Sequence, residues 1–129
     1  MNEEMEVTRV FKWHAAHNLC LPYSSKCTNL HGHTYRVEIT FAGPLNKEGM
    51  VVDFGEIEEI GQEVSFDHQL VNDIPYFREN NPTAENMVLY LKQEIEKLLE
   101  GTEYKDVYVK QVKVWETDNS YAVKRWKRA

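Results

Sequence analysis

His33-Thr34-Tyr35-Arg36-Val37-Glu38-Ile39-Thr40-Phe41 decides the fold. Its odd positions are apolar, aromatic or imidazole, and its even positions are polar or charged. That period of two predicts a half-buried strand with the odd face inward. Upstream, Glu6 to His14 is rich in β-branched and aromatic residues and predicts a second strand. Downstream, Gly43 to Gly49 reads as a turn, and Met50-Val51-Val52 reads as a short returning strand.

Asp53 is placed to cap a helix from about Phe54 to Val64, with Phe54, Ile57, Ile60 and Val64 on one stripe. Residues 65–81 read as irregular. Pro82-Thr83 opens a second helix, with Thr83 as its N-cap and Glu85 in its first turn. Met87, Val88, Leu91, Ile95, Leu98 and Leu99 form its inner face, and Gly101 ends it. Asp106 to Glu116 predicts a strand whose apolar parity changes near Lys110-Gln111, which implies a bulge. Tyr121 to Lys127 predicts the last strand. The expected class is α+β: an antiparallel four-stranded sheet, plus the short strand, with two helices on one face. Such a sheet has open edges that want partners, so a homo-oligomer is expected.

The 129 residues fit one domain spanning 1–129. A formal net charge of −6 argues against a protein built to grip nucleic acid or an anionic membrane. The acidic start, Met1-Asn2-Glu3-Glu4-Met5-Glu6, lacks the basic and apolar character of a secretory leader. No apolar run approaches the ~20 residues needed to cross a bilayer. Two cysteines, Cys20 and Cys27, are too few for a disulfide framework. A cytoplasmic chain with free thiols is expected, with Cys20 read as a small buried residue.

Five histidines carry the chemical signal. In His31-Gly32-His33 the two imidazoles project from one face of a strand. His17 shares parity with Phe11, Trp13 and Ala15, and so belongs on that same inner face. His14 shares parity with Val10 and Lys12 and is expected outside. Three neutral imidazoles with an open position are the pattern of catalytic zinc. Cys27, beside Lys26 and near a divalent cation, is expected to be partly thiolate. It would then serve as a base or nucleophile, or else as a fourth zinc ligand. Asp67-His68 and Glu116 are weaker candidates on residue chemistry alone, since such groups are usually structural or solvated.

Several short stretches occur here in a telling order. They are Ala15-Ala16-His17, Cys27-Thr28-Asn29-Leu30-His31-Gly32-His33, Val52-Asp53-Phe54, Phe66-Asp67-His68-Gln69-Leu70-Val71-Asn72, Asn81-Pro82-Thr83-Ala84-Glu85-Asn86 and Trp115-Glu116-Thr117. From Phe11 to about Ala122 the chain resembles the 6-pyruvoyl-tetrahydropterin synthase family, whose members share the tunnelling fold. The resemblance implies that His17, His31 and His33 hold Zn2+, that Cys27 is the catalytic cysteine, and that Asp67 and His68 form a relay working across a subunit interface. It implies that Glu116 anchors the guanidine-like edge of a pterin ring, with Thr117 and Thr83 nearby. A carboxylate facing two N–H donors suits that task.

Three residues between Cys27 and His31 look like the family's carboxy-tetrahydropterin branch, whose substrate is 7,8-dihydroneopterin triphosphate. The pyruvoyl branch typically has a longer insert there. Trp13-His14 departs from the family's usual residues before Ala15. The resemblance further implies a trimer or dimer of trimers. Lys26, Arg36, Lys124 and Arg125 are candidates for holding the triphosphate. Rival readings are the pyruvoyl branch, a non-catalytic zinc-stabilised assembly domain with Cys27 bound, and a zinc hydrolase, which no His-Glu-X-X-His pattern supports.

Overall fold

Residues 3–129 are described by a computed structural model; Met1 and Asn2, the first residues of the acidic start, lie outside them. The alternating stretch forms the centre of a strand, β2 (His31–Gly43), antiparallel to β1 (Met5–His17) in an unbroken register from Met5↔Gly43 to His17↔His31. Tyr35, Val37, Ile39 and Phe41 point inward and are fully buried, as their parity predicts. Thr40 departs from the pattern: it is buried because its hydroxyl meets that of Thr8 at 2.7 Å across the strand pair.

Asp53 caps α1 (Phe54–Val64) by accepting from the Gly55 N–H at 2.8 Å. Ile57, Ile60 and Val64 are buried, but Phe54 is exposed, so the buried stripe runs through Gly61 instead. Gly61 has no room for a side chain: a Cβ there would lie 2.3 Å from the Phe11 ring. Thr83 caps α3 (Ala84–Glu100) by accepting from the Asn86 N–H at 3.1 Å, and Gly101 closes it. Met87, Val88, Leu91, Ile95 and Leu99 seat α3 on the inner sheet face, where Val112 and Val114 are fully buried. Each such aliphatic side chain contributes about 1.5–3 kcal/mol by leaving water.

Met50-Val51-Val52 is not a strand. Val51 and Val52 are buried in a bend leading to Asp53, which satisfies their hydrophobicity without sheet pairing. The short strand is β3 (Gln69–Leu70), which pairs parallel with Ala15 and Ala16 of β1. Residues 65–81 also hold a 3-10 turn at Val71–Asp73 and the one-turn helix α2 (Tyr76–Glu79). The sheet order is β3-β1-β2-β4-β5, with β4 (Tyr108–Thr117) and β5 (Ser120–Arg125) completing one side.

The expected bulge is present. Thr40 faces Gln111 and Phe41 faces Val109, so Lys110 is the extra residue. Its carbonyl accepts from the Trp126 N–H at 2.9 Å. Before the bulge Val109 points inward; after it Val112 and Val114 do. A second irregularity lies at Glu116, between the pairs Trp115↔Tyr121 and Thr117↔Ser120.

Candidate metal and substrate site

His17 ends β1 and His31 begins β2 directly opposite it, while His33 follows two residues on along the same inner face. His17 is buried, and His31 and His33 are partly so. His17 lies on the inner face, as strand parity predicts, and His14 is exposed.

Two backbone carbonyls set the imidazole tautomers. His17 Nδ1 donates to the Pro82 carbonyl and His31 Nδ1 to the Asn29 carbonyl, each at 2.7 Å. Both Nε2 atoms then carry bare lone pairs, and they face each other at 3.1 Å. Two acceptors at that distance belong with a positive charge between them. Among the described residues, His33 Nε2 is buried with no hydrogen-bond partner, although Glu116 Oε1 lies 3.0 Å away. Glu116 Oε1 is also 3.8 Å from His17 Nε2.

His17, His31, His33 and Glu116 each offer one ligand atom, all within 4.8 Å of one another. Donors bonded at 2.0–2.2 Å to one tetrahedral ion sit about 3.3–3.6 Å apart. Contacts of 3.0, 3.1 and 3.8 Å straddle that edge, so the donor set fits a metal ion. Burial pushes the His17 and His33 imidazoles below their usual pKa; the bond to Pro82 and then the Glu116 charge offset part of this at His17, and the Glu116 charge offsets part of it at His33. That direction favours the neutral, ligating form. Tyr35 lies beneath, its ring edge-on to His17 and His33. Its hydroxyl is buried without a partner among the described residues, and burial, then the Glu116 charge, raises its pKa.

Bulge geometry explains how Glu116 reaches this cluster. The extra residue Lys110 shifts the inward parity from odd to even, which puts Glu116 in line with Val112 and Val114. Glu116 also lines a cleft of about 420 Å³ with Ala84, Glu85, Ser120, Tyr121, Ala122 and Val123. It therefore stands between the imidazoles and a space of ligand size.

Cys27 sits in a 3-10 turn (Lys26–Thr28), half-buried, its N–H donating to Ser25 Oγ at 3.1 Å. The Leu19 N–H donates to the Cys27 carbonyl at 2.8 Å, folding this turn onto the segment that leaves His17. Its thiol is not one of the four converging groups. Cys20 is exposed, contrary to the expected buried thiol. Its backbone, not its sulfur, is what the fold uses: Asn81 accepts from the Cys20 N–H and donates to the Cys20 carbonyl, both at 2.7 Å. Asn72 clamps Asn18 in the same way, at 3.0 and 2.9 Å. These two asparagines hold the loop after His17, a role that no local sequence pattern signals.

Asp67 and His68 are not brought to the imidazole cluster. They hook onto the edge of β1, where Asp67 Oδ1 accepts from the His14 N–H at 2.7 Å and the His68 N–H donates to the His14 carbonyl at 2.6 Å. His68 adopts φ 58°, and this backbone turn lets its Nδ1 reach Asp67 Oδ2 at 3.0 Å. The His14 N–H, and then His68, hold the Asp67 carboxyl below its usual pKa. His68 is 80% exposed beside an open groove lined by His14, Gly32 and Thr34. Thr83 and Thr117 both have local partners: Thr83 caps α3, and Thr117 Oγ1 accepts from the Asn119 N–H at 3.2 Å.

An open α+β sheet, with three imidazoles and a carboxylate gathered at the end of its central strands, defines a tunnelling-fold protein with a cluster able to hold a metal ion. The chain belongs to the 6-pyruvoyl tetrahydropterin synthase family, whose sequence profile matches residues 6–126. It is 36% identical to the 6-carboxy-5,6,7,8-tetrahydropterin synthase of Rickettsia bellii, over 91% of this chain and 97% of that one. It is 31% identical to the human 6-pyruvoyl tetrahydrobiopterin synthase, over 93% and 90%. The Caenorhabditis elegans 6-pyruvoyl tetrahydropterin synthase structure superposes with a TM-score of 0.83 at 22% identity, covering 98% of each chain, which establishes the fold.

Proposed function

We propose that this chain is a zinc enzyme converting 7,8-dihydroneopterin triphosphate to 6-carboxy-5,6,7,8-tetrahydropterin, acetaldehyde and triphosphate, a step toward 7-deazaguanine nucleosides such as queuosine. The observation that carries the reading is the convergence of His17, His31 and His33, two of them with bare Nε2 atoms facing at 3.1 Å. An all-imidazole first set with a carboxylate alongside suits zinc better than the harder cations. The carboxy product is favoured by the Cys27–His31 spacing and by the name of the 36% identical relative.

Zinc, when bound by the three histidines, would supply a Lewis acid that acidifies the substrate's side-chain hydroxyls. Cys27, on the turn just before His31, would move a proton between side-chain carbon and ring as base and then acid. Glu116, lining the 420 Å³ cleft, would accept N–H donors of the pterin ring, with Thr83 and Thr117 at its rim. Asp67 would orient His68, which would exchange hydroxyl protons. Because that pair faces outward at the β3 edge, it would serve the site of a second copy. A homo-oligomer, a trimer or dimer of trimers, fits the outward relay and the unpaired edge of β5. We read residues 1–129 as one domain acting in the cytoplasm on this soluble metabolite.

The test is incubation of the zinc-loaded protein with 7,8-dihydroneopterin triphosphate and identification of products by mass. The expected products are 6-carboxy-tetrahydropterin and acetaldehyde. A 6-pyruvoyl product would move the chain to the family's other branch, and no substrate consumption would overturn the enzymatic reading.

A further inference from the structure

We infer that Glu116 is a two-position carboxylate: without substrate it is the fourth ligand of the metal, and the pterin ring draws it off into the neighbouring cleft. This rests on the proposed metal site and goes beyond it by giving the ring anchor a resting role.

Three observations carry the inference. Glu116 Oε1 lies 3.0 Å from His33 Nε2 and 3.8 Å from His17 Nε2, at the fourth corner of the donor set. A carboxylate that served only the ring would have no reason to stand there. The same side chain lines the cleft between the start of α3 and the β4–β5 hairpin, so both positions are within one side chain's reach. Finally, Glu116 sits at the irregularity between Trp115 and Thr117, where the β4–β5 pairing skips a residue. Bulges of this kind re-aim side chains beside functional sites.

The chemistry gives the two positions different uses. With four protein ligands a zinc site is closed. A ring that offers N–H donors competes for the carboxylate and opens one position as it binds. The vacated position would then be open to the side-chain hydroxyls of that same molecule. Metal and ring thus compete for one carboxylate, and the coupling must be reciprocal.

Zinc affinity, measured by chelator competition, should fall at least tenfold in Glu116→Ala and in the near-isosteric Glu116→Gln. The visible spectrum of the cobalt-substituted protein should change in both variants, as the carboxylate ligand is replaced. A pterin with no hydroxylated side chain should bind the zinc-free protein more tightly than the zinc-loaded one, and Glu116→Gln should abolish that difference. Unchanged zinc affinity together with an unchanged cobalt spectrum in Glu116→Gln would overturn the inference. Failure of the underlying site is read separately: His31→Ala retaining wild-type zinc affinity would remove the three-histidine reading, whatever Glu116 does.

Discussion

His17 Nδ1 lies 2.7 Å from the carbonyl oxygen of Pro82, the residue just before the cap of α3. That bond fixes which nitrogen faces the cluster, and it joins the end of β1 to the start of the long helix. His31 takes its equivalent bond from Asn29, two residues away in its own loop. The two ligand candidates therefore differ in what they support.

Substituting them should separate metal binding from stability. His31→Ala should lose stoichiometric zinc by elemental analysis while unfolding near the wild-type urea midpoint in metal-free buffer. His17→Ala should lose zinc too and also destabilise the metal-free chain by about 1–3 kcal/mol, because the buried Pro82 carbonyl is left without its donor. Full zinc retention in either variant would refute the ligand set.

Cys27→Ala should keep zinc and pterin binding and lose about 10²–10⁴-fold in turnover, the usual scale for a missing proton-transfer group. Single-turnover kinetics with metal analysis checks this. Loss of zinc would instead make the thiol a ligand.

Asn81→Ala should remove both bonds to the Cys20 backbone. We expect about 1 kcal/mol of lost stability and faster hydrogen exchange at the Cys20 amide. Unaltered protection at that amide would show that the loop holds itself.

Asp67 gives a prediction with a sign. Its folded pKa is depressed, so its contribution to stability is present above the unfolded value of about 3.9 and is lost as pH falls through the lower folded value. Asp67→Asn should lower the urea midpoint at neutral pH and flatten the acid limb, the two proteins converging once both carboxyl states are protonated. The group is exposed, so the difference should be small.

Gly61→Ala should destabilise the chain despite the better helix propensity of alanine, worth up to ~1 kcal/mol. Its Cβ would press into the buried Phe11 ring, an overpacking that costs about 1–3 kcal/mol. Adding Phe11→Leu should recover part of the loss, which a double-mutant cycle of urea unfolding would read.

What could be read from the residues follows from range. Strand parity placed His17 inside because β1 runs extended through that residue, and the caps Asp53 and Thr83 act on their own helices. Met50-Val51-Val52 misled because a buried bend and a strand share the same hydrophobicity. Gln69-Leu70 is too short for any period to show, and Phe54 fits the helical stripe yet faces solvent. Long-range relations were not legible: the clamp of Asn81 on Cys20 joins loops far apart in the chain. The meeting of Glu116 with His33 depends on how two irregular strand pairs sum.

Lys110 sets which face of β4 points inward for everything downstream of it. One unpaired residue in β4 acts as a phase shift, the strand equivalent of a frame change. Pairing the same sequence without that bulge would turn Val112, Val114 and Glu116 toward water and bring Gln111, Lys113 and Trp115 inward, with no letter altered. Loss of Lys110 itself would leave Phe41, Thr40 and Ile39 facing Val109, Gln111 and Val112 in regular alternation, so the chain is more exposed to a codon lost between Val112 and Trp115, beyond the bulge, where nothing restores the phase.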